Sequence, residues 1–366
     1  MNAYVPLCVG LTIVTAVNQP EGDYESIKRV EAITSDSVRI KYSSEAMVKD
    51  ELSDEPPALV HSTSYRSVRS VDLASSTVYE QQFYDALPER IPGATAIGTS
   101  AAVLQQLKSR GQSPFSIFIG FSGEPSLNPD DILYVFNNKM DSAIVRVERD
   151  AVWIPVIIND LPARLPAIHA KGDFQGDLTE FYFLDDPANP ITLQYRSGIG
   201  SLRHVEADRI AAGSADGRQD RDVLQVVKIF AHCDAGAAAA GPSAVEDSLA
   251  KTGKALVYDI YFNFNSATLR PESDPSLRDI ASALQRHTDW KLDVSGHTDN
   301  IGADASNLTL SRQRSAAVKA ALTARFHIDP QRLATSGYGA SRPQDTNATL
   351  EGRARNRRVE LLRETN

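Results

Sequence analysis

Two opposite charges are spaced to meet in the last third of the chain. In the stretch 296–322, Asp299 ends an apolar strand and Arg314 lies on the next helix. Arg314 stands four residues after Leu310 and four before Val318, which predicts that it points inward with them. A buried, unpaired guanidinium is strongly unfavourable, so a carboxylate should lie close by. Asp299 is the obvious partner.

This pair allows two interpretations. The two side chains pair with each other and fix the loop, or they bind a ligand that carries both charges. The end of the strand should lie beside the helix N-terminus, where open α/β sheets commonly bind ligands. Asn307 is predicted to cap the helix beside free backbone N–H groups, and Gly302 lets the connecting loop turn.

Strands and helices alternate around this pair. Strands are predicted at 257–265, 291–299, 332–339 and 357–363, and helices at 273–287 and 308–326. Such alternation implies crossover connections and a layer of helices packed on a sheet.

The first 233 residues have a different pattern. Short runs of alternating apolar residues, rich in β-branched and aromatic types and bounded by turn formers, predict a β-rich domain of unknown function over 1–233. One helix interrupts it at 99–111 and stops at Gly111. No serine–histidine–aspartate set, phosphate loop or metal cluster is recognisable here. His61 and His169 are read as surface or core histidines.

Composition changes after this domain. Residues 234–252 are rich in Ala, Gly, Ser and Pro and are predicted to be a linker with some helix. From 253 onward 16 Lys and Arg stand against 13 Asp and Glu, a net charge of +3, which leaves −12 for the rest of a chain of net charge −9. Two modules with different partners are indicated, and the acidic balance argues against a general nucleic-acid binder.

The cysteine pattern implies no metal, and no cofactor is expected. Cys8 and Cys233 are the only cysteines, and neither lies in a ligand motif. Two separate buried thiols are favoured over a disulfide between the terminal strands of the β-rich domain, and lipidation of Cys8 is a third alternative. Residues 3–17 are read as a first strand rather than a signal peptide, and no apolar run is long enough to span a membrane.

Five motifs occur in order in the last third: FNFNSATL, GHTDNIG, NLTLSRQRSAAV, SGYGASRP and EGRARNRRVE. Over residues 253–364 they resemble the family of OmpA-like carboxy-terminal domains, as in OmpA, Pal and MotB. The resemblance implies an α/β sandwich in the order βαβαββ, with helices on a mixed four-stranded sheet, at 253–366. The whole chain is then of the α+β class.

The resemblance also implies a ligand. The family binds peptidoglycan non-covalently through the diaminopimelate of the stem peptide. The matching positions are Asp299, Asn307, Arg314 and Arg357, with Asn265 as a weaker match. Diaminopimelate ends in an ammonium and a carboxylate on one carbon, so a pocket with both charges suits it. This favours the ligand interpretation of Asp299 and Arg314.

We therefore expect a non-enzymatic envelope protein of a Gram-negative bacterium, in the periplasm or on the periplasmic face of the outer membrane. Its partners would be peptidoglycan and other envelope proteins, with no nucleic acid. Two alternatives remain: a wall-tethered enzyme with a catalytic amino-terminal domain, and an interaction module of an envelope or secretion machine. In the basic segment 351–360, Arg353, Arg355 and Arg358 are predicted to form a solvated, partly salt-bridged face rather than ligand contacts.

Overall fold

The computed structural model describes residues 5–18, 24–48, 58–80, 88–122, 136–197, 223–233 and 242–364. The chain divides into two compact units. The first comprises 1–156 and 163–226, and the second comprises 157–162 and 227–366.

The first unit is built on an extended, mainly antiparallel sheet, as the alternating runs predict. The described strands of this sheet, in which residues 157–158, 161–162 and 227–231 are counted with the second unit, are β1 (Leu11–Asn18), β2 (Tyr24–Ile33), β3 (Ser37–Val48), β4 (Ala58–Arg69), β5 (Val78–Tyr79), β6 (Ala94–Thr95), β7 (Gln112–Ser122), β8 (Phe136–Arg146), β9 (Val152–Ile158), β10 (Leu161–Phe174), β11 (Asp177–Leu184), β12 (Thr192–Arg196) and β13 (Val223–Ala231). Their order is β4-β3-β2-β1-β13-β12-β11-β10-β8-β7-β5-β6, and β9 lies beside β10 and β13.

Two helices accompany this sheet, α1 (Ser70–Ser75) and α2 (Ala101–Arg110). The helix predicted at 99–111 is α2. The Ser100 hydroxyl caps it by accepting from the amide of Val103, and Gly111 ends it with a φ of 74°. Its apolar face packs on an aromatic core that includes Phe115 and Phe181, whose rings lie 5.1 Å apart.

The cysteine prediction is wrong in its favoured form. Both Cys8 and Cys233 are disulfide-bonded, and neither is a free thiol. The sequence could not decide this, because pairing depends on the approach of two cysteines far apart in the chain.

The second unit alternates helices and strands: α3 (Ala244–Thr252), β14 (Lys254–Val257), α4 (Asp274–Arg286), β15 (Leu292–His297), α5 (Asp304–Phe326), β16 (Leu333–Gly339), α6 (Leu350–Asn356) and β17 (Val359–Arg363). Short 3₁₀ turns occupy Pro271–Ser273 and Pro330–Arg332. The sheet order is β14-β17-β15-β16. Strands β15 and β16 are parallel, and β17 runs antiparallel to β14 and β15, so the sheet is mixed as expected.

The element order differs from the expected βαβαββ. Helix α6 stands between β16 and β17, within the segment predicted as a solvated basic face, and α3 occupies the second half of the predicted linker. Val245 and Leu249 of α3 belong to the core. The predicted strand 257–265 is misplaced: β14 covers Lys254–Val257 and shares only Val257 with it, and beyond that an isolated bridge joins Phe262 to Leu269.

One face of the sheet and the apolar faces of α4 and α5 enclose the core of this unit. Leu277, Ile280 and Leu284 of α4 are buried there, as their spacing predicts, together with Leu292 and Val294 of β15. Val318 is buried as predicted, but the preceding positions on the inward face of α5 are shifted by one residue from the prediction. Its buried positions are Asn307, Ser311, Ser315, Val318, Ala321 and Leu322, whereas Leu310 and Arg314 are half-buried.

Two glycines set the depth at which α5 packs. A Cβ on Gly296 of β15 would lie 2.2 Å from the carbonyl oxygen of Ser311, and one on Gly337 of β16 would lie 2.4 Å from the amide nitrogen of Arg312. The Ser311 hydroxyl also accepts from the amide of Gly339 at 2.9 Å. The close approach requires glycine, and it brings the start of α5 beside the end of β15.

Candidate functional site

Asp299 lies just beyond β15, where the strand ends and the chain turns towards α5. It is buried, with 8% of the residue exposed. One carboxylate oxygen, Oδ1, accepts from the amide of Ile301 at 3.0 Å, and Oδ2 accepts from Nη1 of Arg357 at 2.5 Å. These two bonds fix the carboxylate at the mouth of the loop.

Asn307 is not the cap of α5. The helix begins at Asp304 after Ala303, so Asn307 lies in its first turns and is buried. Its amide nitrogen donates to the carbonyl oxygens of Ile301, at 3.0 Å, and Asp299, at 3.4 Å. The side chain therefore ties the loop that carries Asp299 to the helix, a holding role that needs a donor at this position.

Arg314 lies two turns further along α5, about 10 Å from Asn307 along the helix axis. Its Nε donates to the carbonyl oxygen of Ser266 at 3.0 Å, and the guanidinium carbon stands 4.9 Å from the ring centre of Phe262. The cation–π contact and the hydrogen bond orient the side chain at the edge of the buried face. The loop that accepts from Arg314 also contains Asn265, which is exposed and has a φ of 48°.

The structure thus connects three predicted site residues, Asp299, Asn307 and Arg357, by direct hydrogen bonds. Arg314 belongs to the neighbouring part of α5, and Asn265 belongs to the loop that accepts a hydrogen bond from Arg314. Arg357 was expected to face a ligand, and here its guanidinium is the cation bonded to Asp299, with a quarter of the side chain exposed. Sequence reasoning had given that role to Arg314.

The basic segment is partly salt-bridged, as predicted, but it is less solvated than expected, since Arg353 and Arg355 are half-buried. Arg355 pairs with Asp345 at 2.7 Å, and Arg353 donates to the carbonyl oxygen of Asn347. Arg358 is buried and donates to Glu360 at 3.2 Å. The partners of Arg353 and Arg355 lie in the loop before α6, a helix that no sequence signal predicted, and the partner of Arg358 lies in β17.

His297, the last residue of β15, is a functional candidate that sequence reasoning passed over. It is buried, and within the described part of the chain neither ring nitrogen has a hydrogen-bond partner. Its ring stacks on Tyr338 at 5.3 Å, and Nε2 lies 3.8 Å from Glu360. Burial and the neighbouring Arg358 lower the pKa of His297 to about 4, so the imidazole is neutral beside the Asp299 loop at neutral pH.

Two observations bear on other kinds of site. Within the described ranges, no group of three or more His, Cys, Asp or Glu side chains is arranged to hold a metal ion. Across the same ranges, no helix is both long enough and apolar enough to cross a membrane.

Comparison with known proteins identifies the domain that carries these residues. Residues 261–357 match the model of the OmpA family. This part of the chain is an OmpA-family domain. Outer membrane protein A of Bordetella avium is 43% identical over 103 residues, which are 28% of this chain and 53% of that protein. The peptidoglycan-binding protein ArfA of Mycobacterium tuberculosis is 34% identical over 164 residues, 44% of this chain and 48% of ArfA.

Solved structures match the same part of the chain. The cell wall anchor of the T6SS from Pseudomonas aeruginosa is 37% identical, with 30% of this chain and 82% of that chain covered and a TM-score of 0.27. The peptidoglycan-associated lipoprotein from Burkholderia pseudomallei is 26% identical, with 29% and 88% covered and a TM-score of 0.27. The chain spans about half of the Bordetella protein, and 29% of the Pseudomonas aeruginosa outer membrane porin F.

Proposed function

We propose that this protein binds peptidoglycan through the diaminopimelate of the stem peptide and so anchors an envelope protein to the cell wall. The observation that carries the proposal is the buried carboxylate of Asp299, held at the end of β15 by Ile301 and Arg357 and flanked by α5. A fixed carboxylate beside the Arg357 guanidinium, with a second guanidinium, that of Arg314, further along α5, suits a ligand that ends in both an ammonium and a carboxylate.

Each charged group has a role in this proposal. Asp299 accepts from the ligand ammonium, and Arg314 donates to the ligand carboxylate. Arg357 holds the Asp299 carboxylate in place before the ligand binds, and the carboxylate then accepts from both Arg357 and the ligand ammonium. Because the carboxylate is already oriented, little conformational entropy is lost on binding, which favours affinity. Asn307 and Asn265 shape the loops on either side.

The paired charges at the end of diaminopimelate should let the site distinguish it from lysine. A lysine at the same stem position presents the ammonium but lacks the terminal carboxylate. It would leave Arg314 without its anion and remove a charge-assisted, forked hydrogen bond. We therefore expect diaminopimelate-type wall to be preferred over lysine-type wall.

The OmpA-family domain and the peptidoglycan-binding relative ArfA support a wall-binding role, and the outer-membrane relatives support a location at the periplasmic face of the outer membrane. We propose that the boundaries are 1–233 for the β-rich domain, 234–252 for the linker and 253–366 for the binding domain. We also propose that the β-rich domain is not an enzyme and contacts other envelope proteins.

Co-sedimentation of the full chain with diaminopimelate-type sacculi tests the proposal. Asp299→Ala and Arg314→Ala should each weaken binding by about 2–5 kcal/mol, since each leaves a partner charge unpaired. Arg325→Ala is a matched control, because Arg325 lies at the other end of α5 and pairs with Asp274. If Asp299→Ala and Arg314→Ala both fold and both bind sacculi with the affinity of the wild type, the proposal is wrong.

A further inference from the structure

The OmpA-family match begins at residue 261. The residues just before 261 lead into the proposed peptidoglycan site. Residues 258–261 follow β14 but lie outside the sheet. They lead into Phe262, on which Arg314 stacks, and into the loop that carries Ser266. An extended segment without ladder hydrogen bonds has to be held by other groups, because its buried amides need acceptors.

Two side chains accept from the first and the last amide of this segment. The amide of Tyr258 donates to Oδ1 of Asp160 at 2.7 Å. The amide of Tyr261 donates to the Ser273 hydroxyl at 2.8 Å, and that hydroxyl donates back to the carbonyl oxygen of Tyr261 at 3.0 Å. Asp160 therefore holds the start of the segment and Ser273 holds its end. Tyr258 and Tyr261 are both buried.

Asp160 is itself held in a tight turn. Asn159 and Asp160 have φ values of 46° and 65°, which is the pattern of a two-residue type I′ hairpin turn. The Asn159 amide donates to the carbonyl oxygen of Ile229 at 3.0 Å, and its Oδ1 accepts from the amide of Ala231 at 2.9 Å. The turn is thus fastened to β13, and Asp160 projects from a fixed base.

We propose that Asp160 is a positioning residue for the peptidoglycan pocket, which holds the segment 258–262 and through it the loop that orients Arg314. This inference rests on the proposed function for its meaning and on the hydrogen bonds above for its geometry. From Tyr258 to Phe262 the chain advances four residues, about 13 Å at most, so a loosened start is felt at the pocket.

The charge around Asp160 favours a neutral side chain. Burial, together with the neighbouring carboxylate of Asp259, raises the pKa of Asp160 well above its ordinary value, and Asp279 adds to this. Lys228 acts in the opposite direction, and His232 bonds Asp259 at 3.1 Å. Asparagine is therefore the closest substitute for Asp160, because it keeps an acceptor oxygen and brings no charge.

Two substitutions separate the acceptor from the turn. Asp160→Gly removes the acceptor while Asn-Gly remains the most favourable pair for this turn, so the backbone is not strained. Asp160→Asn keeps the acceptor. Asp329→Ala is the matched control, because the Asp329 carboxylate also accepts a backbone amide, that of Gln331 at 2.9 Å, beyond the far end of α5.

The experiment measures amide hydrogen exchange and affinity for diaminopimelate-type sacculi on the full chain. Asp160→Gly should lower protection across 258–266 and weaken binding about threefold to tenfold, the range for one lost hydrogen bond. Asp160→Asn and Asp329→Ala should match the wild type in both measurements.

Two results would overturn the inference. In the first, Asp160→Gly exposes the Tyr258 amide but leaves protection at 262–266 and affinity unchanged, so the contact is only local. In the second, Asp160→Asn is as weak as Asp160→Gly, so the acceptor is not what matters. If the wild type itself fails to bind sacculi, the proposed function fails, while the exchange measurement still decides whether Asp160 positions the loop.

Discussion

Removing the guanidinium of Arg357 should destabilise the second unit, because it leaves the carboxylate of Asp299 buried without its cation. The side chain of Asp299 is 11% exposed and that of Arg357 is 25% exposed, so the pair lies between the surface and buried cases. Exposed pairs contribute up to about 1 kcal/mol, and breaking a buried pair costs about 3–5 kcal/mol. For Arg357→Ala we expect about 2 kcal/mol.

Urea unfolding can measure this in a double-mutant cycle with Asp299→Asn. The chain has two tryptophans, and Trp153 is exposed whereas Trp290 belongs to the core of the second unit. A Trp153→Phe background therefore leaves Trp290 as the reporter of this unit. The single changes should couple by about 1–2 kcal/mol, as contacting charges do.

Arg355→Ala is the control, since Arg355, in the last turn of α6, pairs at a similar distance of 2.7 Å with Asp345 of the preceding loop. It should add to Asp299→Asn without coupling. If Arg357→Ala were equally additive with Asp299→Asn, the two charges would not interact, and the argument that Asp299 is held ready for a ligand would be wrong.

Three further predictions concern the fold. Gly337→Ala should lower the free energy of unfolding by about 1–3 kcal/mol, measured in urea, because its Cβ would meet the backbone of Arg312; unchanged stability would refute the close packing. Folding lowers the pKa of His297 to about 4, so the folded state favours the neutral imidazole. The contribution of His297 to the free energy of unfolding is therefore complete above its unfolded pKa of about 6.5 and is lost as pH falls towards 4. The free energy of unfolding should fall over that window by up to about 3 kcal/mol in the wild type and by less in His297→Gln, in which only other groups titrate; equal falls would contradict this. Alkylation of the unreduced, denatured chain should modify neither Cys8 nor Cys233, whereas two modified thiols in the intact mass would rule out the disulfide.

Periodicity and motif order were enough to predict most of the local elements and a candidate location for the site. Helix α2, with its Ser100 cap and Gly111 stop, was predictable because both signals act within one turn of the helix. The mixed four-stranded sheet followed from the family resemblance. The end of β15 is the candidate site because Asp299 follows that strand and Arg314 lies on the next helix.

The predictions that were wrong concerned contacts between residues far apart in the sequence. Arg357 and Asp299 are 58 residues apart, so spacing alone favoured the nearer Arg314 as partner. Helix α6 was missed because its arginines suggested a solvated face, whereas their partners come from the preceding loop. The hydrogen bond from the Tyr258 amide to Asp160 joins residues that are 98 positions apart, so the sequence could not predict it. The turn that carries Asp160 was marked in the sequence only by an Asn-Asp pair between two apolar runs.

Calorimetric titration of the full chain with two stem peptides tests the central claim most directly. The peptides should differ only in carrying diaminopimelate or lysine at the third position. We predict that the diaminopimelate peptide binds at least about tenfold more tightly, and that Arg314→Ala abolishes the difference, because the terminal carboxylate is the only group that distinguishes the two peptides. Equal affinity of the wild-type protein for both peptides would contradict the account.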